Sequence, residues 1–196
     1  MESIAQDILL IAKDVFARWD LRMPAVEVLQ LWQESHRGFH TLDHLWDILE
    51  QIAELDNTTP KKHRDMLILA AIFHDAIYQP GRHDNELRSA DLFLEAAPSP
   101  PHSNAIKDIV LMILETRDHR PSFPLSATFS AMDTAILHRP YTDLLEWEAG
   151  IAYEYVPVLG AEEYRRRRLK FLEGACREQR DNEDALKELI AYVAKN

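Results

Sequence analysis

The sequence predicts an all-α protein, a single-domain helical bundle, and three observations carry that expectation. Apolar residues recur at three- and four-residue spacings in one segment after another. No segment alternates with the two-residue period of a half-buried strand, and glycines number only 5 in 196 residues. At that length, with 46% hydrophobic residues, one domain over residues 1–196 with a full core is expected. No internal repeat or low-complexity tract interrupts it.

The elements follow in order. Ile4, Ile8, Ile11, Ala12, Val15, Phe16 and Trp19 form one stripe of an opening helix. Pro24 starts a second helix through Val28, Leu29 and Trp32. After Thr41, a suitable N-cap with Asp43 in the first turn, Leu45, Ile48, Leu49, Ile52 and Leu55 repeat the helical period. His44 shares that inward face. The run Met66 to Phe73 is apolar all round, which suits a buried helix or a buried strand; flanking alanines and the lack of any other strand candidate favour a helix, ending near Tyr78 before Pro80-Gly81. A helix from about Asn85 to Ala97, a loop at Pro98-Ser99-Pro100-Pro101 and a helix carrying Ile106, Ile109, Val110 and Ile113 come next. Leu125 to Leu137, Tyr141 to Leu159, Ala161 to Gln179 and Glu183 to Ala194 complete the set, with Pro157 expected to kink or shorten its helix.

Charge narrows the partners. With 33 acidic against 22 basic side chains, net −11, the chain lacks the positive field that long nucleic acids require. A small phosphate ester stays open, because a bound cation can dominate the local potential. The single Cys176 cannot form an internal disulfide, and the start at Met1-Glu2-Ser3 has no export signal. The longest apolar run is too short to span a bilayer, so a soluble, cytoplasmic protein is expected.

Several polar residues sit where burial would be costly. His74-Asp75 directly follows eight apolar residues, and Asp133 interrupts Ala131-Met132-Asp133-Thr134-Ala135-Ile136-Leu137. The doublet can hold a cation near a helix end or simply cap it, and Asp133 can be a ligand, a salt-bridge partner or an N-cap. His40 and His44, four residues apart, can share a face or form an ordinary surface pair. Taken together, His44, His74, Asp75 and Asp133 are a mixed nitrogen and oxygen set suited to one divalent ion of the first transition row, with positions open for water or substrate.

These words resemble the HD superfamily of metal-dependent phosphohydrolases, and more closely a small bacterial branch of predicted HD-type phosphohydrolases of unknown substrate. Arg37-Gly38-Phe39-His40-Thr41-Leu42-Asp43-His44 is similar to the branch's Arg-x-Tyr-His-x-x-x-His. Phe73-His74-Asp75-Ala76-Ile77-Tyr78 and Asn85-Glu86-Leu87-Arg88-Ser89-Ala90 resemble its His-Asp-x-x-Tyr and Asn-Glu-x-x-Ser-Ala segments. Thr116-Arg117-Asp118-His119 resembles Thr-x-x-His, and Asp133 to Leu137 resembles Asp-x-x-x-Leu. The likeness covers roughly residues 30 to 172, and it departs at Phe39, where Tyr is usual, and at Ala152, where Arg is usual before Glu154-Tyr155.

The resemblance implies an all-helical fold and a metal held by His44, His74, Asp75 and Asp133. It also implies hydrolysis of a small phosphorylated substrate, nucleotides among the candidates, by metal-activated water that Asp75 orients. Manganese, iron, cobalt, nickel and zinc all suit such a set, magnesium less well. The segments around His44 and His74 also resemble cyclic-nucleotide phosphodiesterases, which implies that His40 protonates the leaving group. Arg37, Asn85, Glu86, Ser89, His119 and Arg168 are the candidate substrate contacts: Arg37 by its planar donor fork, Asn85, Glu86 and Ser89 at a helix start that can receive an anion, and Arg168 as one member of Arg165 to Arg168, a run that circles its helix.

Two rivals remain at this point. Some superfamily members are di-iron oxygenases, which need extra histidines, and His83, His102 and His119 lie between the doublet and Asp133. A non-catalytic nucleotide-binding module is the other.

Overall fold

The computed structural model describes residues 2–98 and 104–195. Among these residues it is all-α, with ten α-helices, two short 3-10 turns and no strand. The helices are α1 (Glu2–Arg18), α2 (Ala25–Leu31), α3 (Leu42–Ala53), α4 (Lys61–Phe73), α5 (Asn85–Ala96), α6 (Asn104–Glu115), α7 (Pro124–Asp133), α8 (Tyr141–Leu159), α9 (Ala161–Glu178) and α10 (Glu183–Lys195). Ser99, Pro100, Pro101 and His102 lie outside the described residues. No described helix is long and apolar enough to cross a membrane.

The chain groups into two compact units: Met1–Ser35 with His40–Asp133, and His36–Phe39 with Thr134–Asn196. Each has its own core.

The first unit is built around α4. Leu67, Leu69, Ile72 and Phe73 are fully buried, and the rings of Phe16 and Phe93 pack on Phe73. Each such side chain contributes about 1.5–3 kcal/mol by leaving water. The all-round apolar run of α4 is thus that of a central helix. Asp65, buried on the same helix, is matched by Arg18 at the end of α1, whose guanidinium reaches it at 2.6 and 3.0 Å, and by the Trp19 indole at 3.3 Å. Arg64 donates to the carbonyls of Ile52, Leu55 and Asp56, tying α4 to the end of α3 and the turn after it.

In the second unit, Leu144, Leu172, Leu186 and Leu189 form the centre of a core shared by α8, α9 and α10. The segment 36–39 lies against α8 because two glycines meet: a Cβ on Gly38 would stand 2.4 Å from the carbonyl oxygen of Gly150. Buried Glu154 fixes the approach by accepting hydrogen bonds from the amides of Gly38 and Phe39, each at 2.8 Å.

Three expectations are corrected. The fourth helix ends at Phe73, not near Tyr78, since the His74 ring and Trp32 capture its last carbonyls. The predicted helix over Leu125 to Leu137 is broken at Thr134, where α7 gives way to a 3-10 turn, Ala135–His138. Pro157, expected to kink or shorten its helix, does not shorten α8, which runs on past it to Leu159 and ends at Gly160, where φ is 78°.

Candidate metal centre

The first unit brings six of the sequence candidates, His40, His44, His74, Asp75, His119 and Asp133, to the C-terminal end of α4. Its last four carbonyls would be left open at the helix end. The Ala70 carbonyl accepts from the His74 amide, the Ala71 carbonyl from His74 Nδ1 at 2.9 Å, the Ile72 carbonyl from the Trp32 indole at 2.9 Å, and the Phe73 carbonyl from the Ala76 amide. The helix end therefore fixes the His74 ring. A carbonyl can only accept, so Nδ1 carries the hydrogen and Nε2 of the neutral ring presents its lone pair.

That lone pair faces other donors. Asp75 Oδ2 lies 3.1 Å and Asp133 Oδ1 3.4 Å from His74 Nε2, and Asp133 Oδ1 lies 3.2 Å from His44 Nε2. One ligating atom each of His44, His74 and Asp75 falls within 4.8 Å of the other two. Asp133 joins this trio through its contacts to both imidazoles. His44 reaches the group from the first turn of α3, which Thr41 caps by accepting from the Asp43 amide, as the sequence suggested. Asp133 closes α7, and Gln51 of α3 donates to the neighbouring Met132 carbonyl, tying the two helices together beside the site.

Whether these residues fit a cation is answered by His74. Its Nε2 is buried and makes no hydrogen bond, an orphan in a side chain 1% exposed. It faces two carboxylates, which have no hydrogen to offer when ionised. Either a proton or a cation must stand between them. With a proton there, burial opposes the charge, yet Asp75 and Asp133 raise the His74 pKa well above the ordinary histidine value. Burial likewise opposes the charge on Asp75 and Asp133, but His74 holds both well below the usual carboxylate range, with His40 assisting at Asp75 and His44 at Asp133. A cation bound at about 2.1 Å would set neighbouring donors about 3.0–3.4 Å apart, in octahedral or tetrahedral arrangement. The contacts at 3.1, 3.2 and 3.4 Å fall in that range, so the donors that Asp133 and His74 bring together fit a shared cation.

Around this centre, His40 Nε2 lies 3.9 Å from Asp75 Oδ2, and its ring stacks on Tyr78 with centroids 4.2 Å apart. His119 occupies a turn after α6 at φ 50°, in the left-handed region, and its Nδ1 lies 3.7 Å from Asp133 Oδ2. Asp133 therefore has imidazoles beside both oxygens. Asn85 and Ser89 are buried, and each holds backbone: Asn85 binds the amide and carbonyl of Gln79, and Ser89 those of Ile77. Glu86 is half-buried in the first turn of α5, and His83 is exposed.

Arg37 and Arg168 belong to the second unit. Both are buried. Arg168 donates to Glu148 at 2.6 Å, Tyr164 donates to the other oxygen of Glu148 at 2.5 Å, and the guanidinium lies 3.9 Å over the Trp147 ring. The arginine run circles its helix as expected, Arg166 and Arg167 being exposed and paired with Glu163.

Several supporting residues had escaped the sequence reading. Glu115 accepts from the Ser122 amide and hydroxyl and from the Ser126 hydroxyl, which secures the loop carrying His119. An acidic residue ending an apolar helix, where the dipole disfavours it, was the available signal. Trp32 and Gln51 gave none. Comparison of the chain with protein-family models, curated proteins and solved structures finds no match.

Proposed function

We propose that the protein is a metal-dependent phosphohydrolase of the HD type, in which His44, His74, Asp75 and Asp133 hold one divalent cation and a small phosphate ester, nucleotides included, is the substrate. The observation that carries this reading is the buried, unpartnered Nε2 of His74, committed by its own Nδ1 hydrogen bond to face two carboxylates. The similarity of the words around these residues to the HD superfamily supports it further.

A divalent cation, when bound, supplies a Lewis acid for a phosphoryl oxygen and acidifies a water from a pKa near 16 toward about 7. The remaining tasks fall to the chain. Asp75, with Oδ2 between His74 and His40, accepts a hydrogen bond from the attacking water and so aims it. His40, partly exposed at the edge of the cluster, delivers a proton from its ring nitrogen to the departing oxygen. Asn85 and Ser89, spent on backbone, shape the loop and are not substrate contacts in this reading.

Elemental analysis of the purified protein is expected to find one transition metal per chain. A phosphate-release screen over nucleoside monophosphates, cyclic nucleotides, dinucleotides and sugar phosphates is expected to find turnover that Asp133→Ala abolishes. Failure of the protein to retain manganese, iron, cobalt, nickel or zinc after reconstitution would overturn the proposal.

One observation favours the di-iron oxygenase as a second reading: His119 stands 3.7 Å from the second oxygen of Asp133. Two irons per chain, with oxygen uptake and no phosphate release, would decide for it.

A further inference from the structure

We propose that Tyr78, braced by Asn85 and Ser89, is a positioning residue that sets the imidazole of His40 for proton delivery. The inference rests on the hydrolase reading above, and it assigns a task to a loop that reading leaves unused. Residues 77–79 follow the His-Asp doublet without regular structure, so their backbone groups need partners from elsewhere. Two buried side chains supply them reciprocally. Ser89 Oγ accepts from the Ile77 amide at 3.1 Å and donates to the Ile77 carbonyl at 3.3 Å. The Asn85 amide group accepts from the Gln79 amide at 3.1 Å and donates to the Gln79 carbonyl at 3.0 Å.

Tyr78 is the residue between the two clamped ones. It is 5% exposed, and its ring lies 29° from parallel to His40. His40 itself stands on the turn before α3, outside any helix, and its ring also approaches His44 edge-on at 6.0 Å. Packing alone would need only an apolar wall here. Paired polar clamps on both sides of a single aromatic ring fix its position instead, and through the stack they fix the imidazole 3.9 Å from Asp75. A proton donor displaced by about 1 Å can lose about 100-fold in rate.

The test compares a poor and a good leaving group. Adenosine 5′-monophosphate releases an alkyl alcohol that needs a proton, whereas 4-nitrophenyl phosphate releases a stable phenolate that does not. In Tyr78→Leu, and to a smaller degree in Ser89→Ala, the ratio of nitrophenyl to nucleotide rates is expected to rise about 10- to 100-fold at wild-type zinc content. Tyr78→Phe, which keeps the ring, should restore the wild-type ratio. An equal loss on both esters overturns the brace and leaves the hydrolase reading standing, while wild-type protein inert on both esters and on the wider panel overturns both. A second measurement needs no turnover: the ring-current displacement of the His40 Cε1 proton, assigned with His40→Gln, should shrink in the Asn85→Ala, Ser89→Ala double variant. An unchanged resonance overturns the brace.

Discussion

The His74 side chain sits at the centre of the candidate metal site. Its Nδ1 is spent on the helix end, so loss of the ring removes both a candidate ligand and a hydrogen bond to the Ala71 carbonyl. His74→Ala and Asp133→Ala are each expected to lower bound zinc or manganese below about one tenth of wild type, read by elemental analysis after dialysis. A proton and a cation compete for the same nitrogen, which gives a pH prediction with a definite sign. In metal-free protein the raised His74 pKa means that its attraction to Asp75 and Asp133 is fully present below about pH 6.5 and is lost as pH rises through the folded value. The lowered carboxylate pKa values contribute above about pH 3.9 and are lost as pH falls through their folded values. A bound cation replaces the proton, so the rise in melting temperature on adding zinc should grow between about pH 6 and about pH 8. A rise that stays constant with pH would count against proton displacement. His74, Asp75 and Asp133 were legible because polar residues interrupted apolar runs, and His44 because it shares an inward helical face; Tyr78 entered only as part of a family-like segment, and Trp32 looked like an ordinary core residue that takes its role from what lies across from it.

Helix ends, more than helix interiors, shape the site. Periodicity located helices such as α1, α3 and α10, and composition alone argued for α4, but neither carries information about where a helix stops; α4 stops at Phe73, where the distant Trp32 satisfies one of its carbonyls. The break in α7 at Thr134 has the same consequence: Asp133 becomes a terminal residue able to face His44 and His74. The glycine contact in the second unit makes another element-scale prediction. Gly38→Ala forces a Cβ to within 2.4 Å of a backbone oxygen that cannot move aside without disturbing α8, so it should destabilise by about 2–3 kcal/mol in urea unfolding. Glu154→Ala, which strands two amides, should cost about 2 kcal/mol, and Glu154→Gln should recover part of that by keeping an acceptor.

At the scale of the whole molecule, the candidate ligands all fall in the first of the two units. Removing the metal should therefore speed amide exchange in α3, α4 and α7 and leave α9 and α10 unchanged, as measured by hydrogen exchange and mass spectrometry. Net charge −11 further predicts that duplex DNA at physiological salt is not retained in a gel-shift titration up to about 10 μM protein. The sequence by itself determined the all-helical class, the apolar faces and the residue types fit to bind a cation, since all three follow from local pattern and the cost of burying charge. Only the tertiary structure decided that His44, His74, Asp75 and Asp133 meet, that Asn85 and Ser89 clamp a loop, and that residues 36–39 group with 134–196. Those outcomes depend on contacts between residues far apart in the chain, and spacing along a helix cannot encode them.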